Sequence, residues 1–370
     1  MLRLFLLLLT LFILPTASPA QSVLADLESG QTILAGAPNE PADASDMLPL
    51  MSVYAALETL QQDSSKRKLF NPVQNPWGGA DIPLADLLKG LLMTGDQAAL
   101  EALPGALGLA TEDFSRIVRD AADQLGMKSS EFSYPCGRCV STAADIALLA
   151  SELYERHAVA RLWGAEHSFE LPDGKMLRTT NSFLERSPAI TGIYVAPERQ
   201  SAAILSENPK GTDERLRRLL AVSLESSTPE ALREEISSLL LRGYRDYETL
   251  KIYSAGDFVA SIPIYKGAAP EVRAAVPQTV FVTMTTEQML TAGSGALEIR
   301  VQYASPIIAP IKAGERVGTL RIYADMKLAQ EVPLTAQADV DEGGFWTRFK
   351  DTVRLALSQS PLHHKRYKDD

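Results

Sequence analysis

The sequence predicts an α+β domain, then a small β-sandwich, then an amphipathic C-terminal helix. Three observations carry this. Residues 21–245 mix helical periodicity with short strand signals, and a region of that size can bury a sizeable core, about 70% of its unfolded surface. From 247 to 335 strand-like segments follow one another at short intervals. In the tail, Phe345, Trp346, Phe349, Val353, Ala356 and Leu357 fall within an arc of about 120° at helical spacing, with Arg348, Lys350, Asp351 and Arg354 outside it.

Taken in order, residues 1–20 read as a secretory signal. Arg3 supplies a basic start, 4–15 an apolar run, and Ser18-Pro19-Ala20 a small-residue cleavage site before Gln21. That run is too short for a comfortable transmembrane span, which takes about 20 residues. Segments 23–27 and 32–35 flank Ser29-Gly30, a hairpin signature. Helices are predicted over 49–60, 84–93, 98–107, 112–125, 142–157, 212–223 and 229–244, and strands over 193–195 and 202–205. Beyond 246 the strands are 250–253, 258–265, 280–284, 296–303, 317–323 and 331–334. Ala255-Gly256-Asp257, Gly293-Ser294-Gly295 and Ala313-Gly314-Glu315 read as turns. The expected divisions are a leader 1–20, a first domain 21–245, a sandwich 246–340 and a tail 343–370.

The stretch 39–60, NEPADASDMLPLMSVYAALETL, resembles the start of the nucleophile helix in the serine D-alanyl-D-alanine carboxypeptidases, the low-molecular-mass penicillin-binding proteins. Further phrases carry the same resemblance. Leu87-Leu88-Lys89-Gly90-Leu91-Leu92-Met93-Thr94-Gly95-Asp96-Gln97-Ala98 is similar to the family's L-L-K-G-L-L-x-x-S-G-N-D-A, and Ser141-Thr142-Ala143-Ala144-Asp145 to its S-T-A-x-D. Asn181-Ser182-Phe183-Leu184, then Ile190-Thr191-Gly192, follow the course of its Lys-Thr-Gly segment, while Tyr244–Thr249 and Gly318-Thr319-Leu320 follow its second domain. The resemblance implies a transpeptidase- or β-lactamase-like domain, an antiparallel sheet flanked by helices, ahead of the sandwich. It also implies a setting in peptidoglycan maturation, where active members remove the terminal D-alanine of stem peptides.

The motif letters are altered at every motif. Asp46 stands where the family has its serine nucleophile and Pro49 where it has the lysine base. Serine acyl transfer needs a hydroxyl beside a proton acceptor, and neither residue supplies one. Thr94 replaces the serine of Ser-x-Asn, and Asp96 puts an acceptor-only carboxylate where an amide stood. Ile190 replaces a lysine that would hold the substrate carboxylate. By the resemblance, Asp96, Ile190, Thr191 and Gly192 would line the substrate cleft. From the residues alone, Asp46 reads as a helix N-cap, Pro49 as a first-turn proline and Ile190 as a strand residue. Ser65-Lys66-Arg67-Lys68, Ser206-Glu207-Asn208 and Lys210-Gly211-Thr212 match the motifs formally but sit where solvated loops are expected.

The four histidines show no zinc spacing, and there is no Gly-rich phosphate loop, so the sequence calls for no metal or cofactor. Cys136 and Cys139 are expected to form a local disulfide after export. The formal net charge is −10; residues 343–370 carry +3 and residues 21–342 carry −14. An acidic body argues against nucleic acid, and a basic tail suits an anionic surface. The expectation is an exported, carboxypeptidase-like protein without catalysis, periplasmic and attached peripherally to the outer face of the inner membrane. Phe345, Trp346, Phe349, Val353 and Leu357 would be its anchor, with wall peptides or a cell-wall enzyme as partner. The alternative is an active serine carboxypeptidase using relocated groups such as Ser65 or Ser206.

Overall fold

The computed structural model of the 370-residue chain describes residues 21–62, 66–196, 200–209, 216–291 and 297–358. The leader over 1–20, Ser65, Lys210-Gly211-Thr212 and Gly293-Ser294-Gly295 lie outside them.

The chain opens with β1 (Gln21–Asp26) and β2 (Gln31–Gly36), joined by a turn in which the Gly30 N–H donates to the Asp26 carbonyl at 2.8 Å. Next come β3 (Ala42–Asp43), α1 (Leu48–Gln62), β4 (Pro72–Val73), β5 (Ile82–Pro83), α2 (Leu84–Thr94), α3 (Gln97–Ala106) and α4 (Thr111–Leu125). They are followed by β6 (Val140–Ser141), α5 (Ala143–Arg156), α6 (Ala158–Gly164), β7 (Ser168–Glu170), β8 (Met176–Arg178) and β9 (Ile190–Ala196). After β10 (Ser201–Pro209), β11 (Leu216–Leu224) and α7 (Pro229–Asp246) the chain becomes almost wholly strand. The main sheet has the order β2-β1-β11-β10-β9. Helix α1 is apolar nearly all round, with Leu48, Leu50, Met51, Val53, Tyr54 and Leu57 buried, which marks a helix in the middle of a core.

A helix was expected over 212–223; 212–215 lie outside the described residues, and from Leu216 the chain is instead strand β11. Leucine and arginine favour a helix locally, but β11 is the central strand of the sheet and is buried over most of its length. Pairing on both sides outweighs propensity there. Helix α6 was not legible beforehand.

By contacts the chain falls into two compact units. One takes in residues up to Val23, Ala35–Leu205 and Ala221–Ser238; it holds helices α1 to α6. The other comprises Leu24–Leu34, Ser206–Leu220 and the chain from Leu239 onward.

In the second unit, β12 (Tyr247–Tyr253) pairs antiparallel with β15 (Val280–Thr285). A five-stranded sheet has the order β13 (Phe258–Pro263), β14 (Glu271–Ala275), β18 (Lys327–Ala336), β17 (Arg316–Ala324), β16 (Leu297–Gln302). Short helix α8 (Thr286–Thr291) and strand β14 were not read from the sequence. One apolar core, including Ile262, Val272, Val282, Leu320, Ile322 and Leu334, joins the two sheets as a small sandwich. The turns expected at Gly256 and Gly314 are present, each glycine holding a positive φ.

The same unit contains a buried ion pair. Arg217 Nε donates to Asp26 Oδ2 at 3.0 Å, and Arg217 Nη1 donates to the carbonyls of Gly243 and Tyr247. Thr249 Oγ1 donates to the same carboxylate at 2.6 Å. A buried charge pair is tolerated when its remaining bonding capacity is met in this way.

Candidate functional site

The site is built from the start of α1, the junction of α2 and α3, strand β9 and the loop before β6. Together Ser45, Asp46, Pro49, Thr94, Asp96, Glu101, Tyr134, Cys136 and Tyr194 line most of a cavity of about 500 Å³. Among the described residues its charged lining is Asp46, Asp96 and Glu101, with no lysine, arginine or histidine.

The chain enters α1 through a single 3-10 turn, Ser45–Met47. Asp43 organises that turn: its Oδ1 accepts from the Ser45 N–H at 3.0 Å and the Ser45 hydroxyl at 2.6 Å. Asp46 lies inside the turn and is not the N-cap expected from sequence; Ala44 holds that position, and Asp43 makes the side-chain bonds to Ser45. Both carboxylate oxygens of Asp46 are withdrawn from solvent. Pro49 is the second residue of α1, where its missing N–H has no helical partner to lose.

Helix α2 ends at Gly95, whose φ of 62° makes a left-handed cap with its N–H on the Leu91 carbonyl. Thr94 Oγ1 donates to the Gly90 carbonyl at 2.7 Å and accepts the Asp96 N–H at 3.2 Å. Asp96 is the N-cap of α3, its Oδ1 accepting the Ala99 N–H at 2.9 Å. The carboxylate that the resemblance placed in the substrate cleft therefore has a structural job, worth about 1 kcal/mol. Its signal was present: an aspartate directly ahead of a helix-periodic run.

Tyr194 is the residue that sequence reasoning missed. It is 2% exposed, and its hydroxyl donates to the Asp46 carbonyl at 2.9 Å. A Cβ at Gly95 would stand 2.5 Å from that hydroxyl, so glycine is needed there for space as well as for φ. Alternation along β9 turns Tyr194 and Ala196 to the cavity. Thr191 lines a separate small cavity with Leu92, Tyr154 and Ala160, contrary to the cleft position the resemblance implied. Gly192 runs so close to α6 that a Cβ would lie 2.3 Å from the Gly164 carbonyl oxygen. Ile190 is half-buried at the start of β9, and neither it nor Gly192 lines the cavity.

The remaining wall is the loop carrying Tyr134 and the cysteines. Tyr134 packs edge-on against Phe114, donates its hydroxyl to the Leu100 carbonyl, and has its phenol pushed up to about 12 by burial, with Glu101 adding to the rise. Cys136 and Cys139 are disulfide-bonded. The Cys139 N–H donates to Ser45 Oγ at 3.0 Å, and β3 pairs with β6, so this loop is fastened to the turn before α1. Ser45 is thus held by Asp43 on one side and Cys139 on the other. The Ser141-Thr142-Ala143-Ala144-Asp145 phrase has a local use: Thr142 caps α5, and Asp145 Oδ2 accepts from the Ser129 N–H and the Ser130 hydroxyl.

Of the formal rescues, Ser206 sits in strand β10, 2% exposed, and not in the solvated loop expected; the Tyr244 hydroxyl lies 3.2 Å from its Oγ. It does not line the cavity. The tail forms α9 (Phe345–Ser358), with Phe345, Trp346, Phe349 and Val353 exposed; the Leu357 side chain lies outside the described residues. Among the described residues no helix is long and apolar enough to cross a membrane.

Fold and cavity together define a class, a transpeptidase-like α+β domain followed by a β domain. Residues 247–342 match the family model "Penicillin-binding protein 5, C-terminal domain". The chain is 24% identical over 358 residues to D-alanyl-D-alanine carboxypeptidase DacF of Bacillus subtilis, covering 90% of this chain and 88% of that one. It is 24% identical over 368 residues to D-alanyl-D-alanine carboxypeptidase DacC of Escherichia coli, covering 93% and 90%. The solved structure of penicillin binding protein 5 from Haemophilus influenzae superposes with a TM-score of 0.75 at 20% identity, over 89% of this chain and all of that one. The resemblance read from the sequence is borne out: over most of its length this chain is similar to the D-alanyl-D-alanine carboxypeptidases, the low-molecular-mass penicillin-binding proteins.

Proposed function

We propose that the protein is a catalytically silent relative of the carboxypeptidases, which uses the cavity to bind wall peptides or a cell-wall partner without forming an acyl-enzyme. One observation carries this: the cavity's described lining brings no amine beside a hydroxyl. Ser45 Oγ donates to Asp43, Thr94 Oγ1 donates to a helix carbonyl, and Asp46 and Pro49 stand at the nucleophile and base positions. Loss of nucleophile and base together lowers turnover in serine hydrolases by about a million-fold. The test is incubation of the purified protein with a labelled penicillin. No covalent adduct is expected, and a stoichiometric adduct would overturn the reading.

On the same reading the protein is exported to the periplasm by its leader and rests on the outer face of the inner membrane through α9. Support comes from an aromatic face left outside the fold and from a tail of charge +3 on a body of −14.

A further inference from the structure

Helix α9 is held to the sandwich by its polar side. The Lys266 N–H donates to Asp351 Oδ2 and Arg348 pairs with Glu342 at 2.8 Å. The Gly343 N–H donates to the Lys266 carbonyl at 2.7 Å. At 100° per residue Asp351 lies opposite the arc of Phe345, Phe349 and Val353, and Arg348 borders that arc on the Phe345 side. The docking therefore fixes the helix with its aromatic face outward: Phe345 is 67% exposed, Trp346 72% and Phe349 54%. Those three rings pack on one another at 5.5–6.5 Å between centroids.

A second apolar element stands beside that face. Ile308 is 46% exposed, and it shares a cavity of about 580 Å³ with Phe345, Phe349, Lys266 and Arg348. Its backbone is clamped: the Tyr265 N–H donates to the Ile307 carbonyl at 2.8 Å and the Ala309 N–H to the Tyr265 carbonyl at 2.9 Å. An isoleucine between two such bonds is presented in one fixed place. Nothing in the sequence marked it, since it lies outside the helical pattern.

Resting on the membrane attachment proposed above, we propose that Ile308 and the aromatic face of α9 form one lipid-facing surface for a bilayer of anionic phospholipid. The cavity between them takes the boundary between headgroup and acyl chain. Apolar walls from Ile308, Ala309, Phe345 and Phe349 suit chain carbons, while Lys266 and Arg348, the latter paired with Glu342 on the same lining, suit phosphate. Charge selects this occupant over a second copy, because two copies would oppose tails that each carry +3. Two rigid points also fix the orientation of the sandwich on the bilayer, which a helix alone does not.

The test is co-sedimentation of the full chain with vesicles of phosphatidylglycerol and phosphatidylcholine, and of phosphatidylcholine alone. Ile308→Asp is expected to weaken binding to the mixed vesicles about tenfold, as Phe349→Asp does, with unchanged thermal unfolding because Ile308 is exposed. Wild-type binding by Ile308→Asp alongside weakened Phe349→Asp would overturn the two-point surface while leaving helix attachment standing. Wild-type binding by both would overturn the attachment itself. Equal binding to phosphatidylcholine alone would overturn the anionic assignment, and dimerisation abolished by Ile308→Asp, without vesicle binding, would replace the bilayer by a second copy.

Discussion

In the cleft, Thr94, Asp96 and Tyr194 each bond a backbone group, and each is thereby part of a helix end or a strand. On α9, Phe345, Trp346, Phe349 and Val353 stand exposed, adding little to the fold. The side chains of the two regions do opposite work. Where a motif position has been taken into local structure, substitution should be read out as stability. Where a patterned face is left outside the fold, substitution should be read out as binding.

The strongest challenge to this contrast is Tyr194→Ala, which removes a buried ring and the bond to the Asp46 carbonyl. A loss of about 3–5 kcal/mol in urea unfolding is expected; a variant as stable as the parent would show that the ring is not structural. On the other side, Trp346→Ser should weaken vesicle binding about tenfold while changing unfolding by under about 0.5 kcal/mol. A destabilised Trp346→Ser would collapse the distinction. Asp96→Ala removes the cap of α3 and should cost about 1 kcal/mol, whereas Asp96→Asn, which keeps the capping oxygen, should cost little. Equal losses in both would mean that the charge, not the cap, matters.

The smallest effect is a pH dependence of stability set within the helical unit. Burial pushes the His157 imidazole below its ordinary 6.5, against Glu58, whose Oε1 lies 2.9 Å from Nε2, and with Arg156 adding to the lowering. Below 6.5 the unfolded chain takes up a proton that the folded chain resists, so stability falls as pH drops through that window. His157→Gln should flatten the fall, seen by comparing urea midpoints at about pH 7.5 and about pH 5.5. Retention of the full slope in the variant would assign it to other groups.

The sequence made helices α2, α4 and α5 legible because their apolar positions recur at helical spacing and their ends carry glycine or threonine caps. The β1–β2 hairpin was legible from Ser29-Gly30. It misled at β11, where a Leu- and Arg-rich run is central in a sheet that no local signal announces. At the site, Asp46, Pro49, Thr94 and Asp96, which the motif frame grouped, all line one cavity. It failed at Thr191, which the two-residue period of β9 turns away from it, and it overlooked Tyr194, which the same period turns inward. The roles of Asp43 and Ser45 depend on the loop at Cys139, distant in sequence, and no spacing rule reaches that far.

The Tyr194 hydroxyl on the Asp46 carbonyl bears on the history of this fold. On the proposed reading a serine at 46 and a lysine at 49 would supply the missing groups, yet Thr94 would still serve Gly90, Asp96 would still cap α3, and Gly95 would still lie against the phenol. Freeing any of these weakens a helix end or a strand before turnover can return. On the proposed reading, acyl transfer is therefore separated from this sequence by several coordinated substitutions, each with a stability cost of its own.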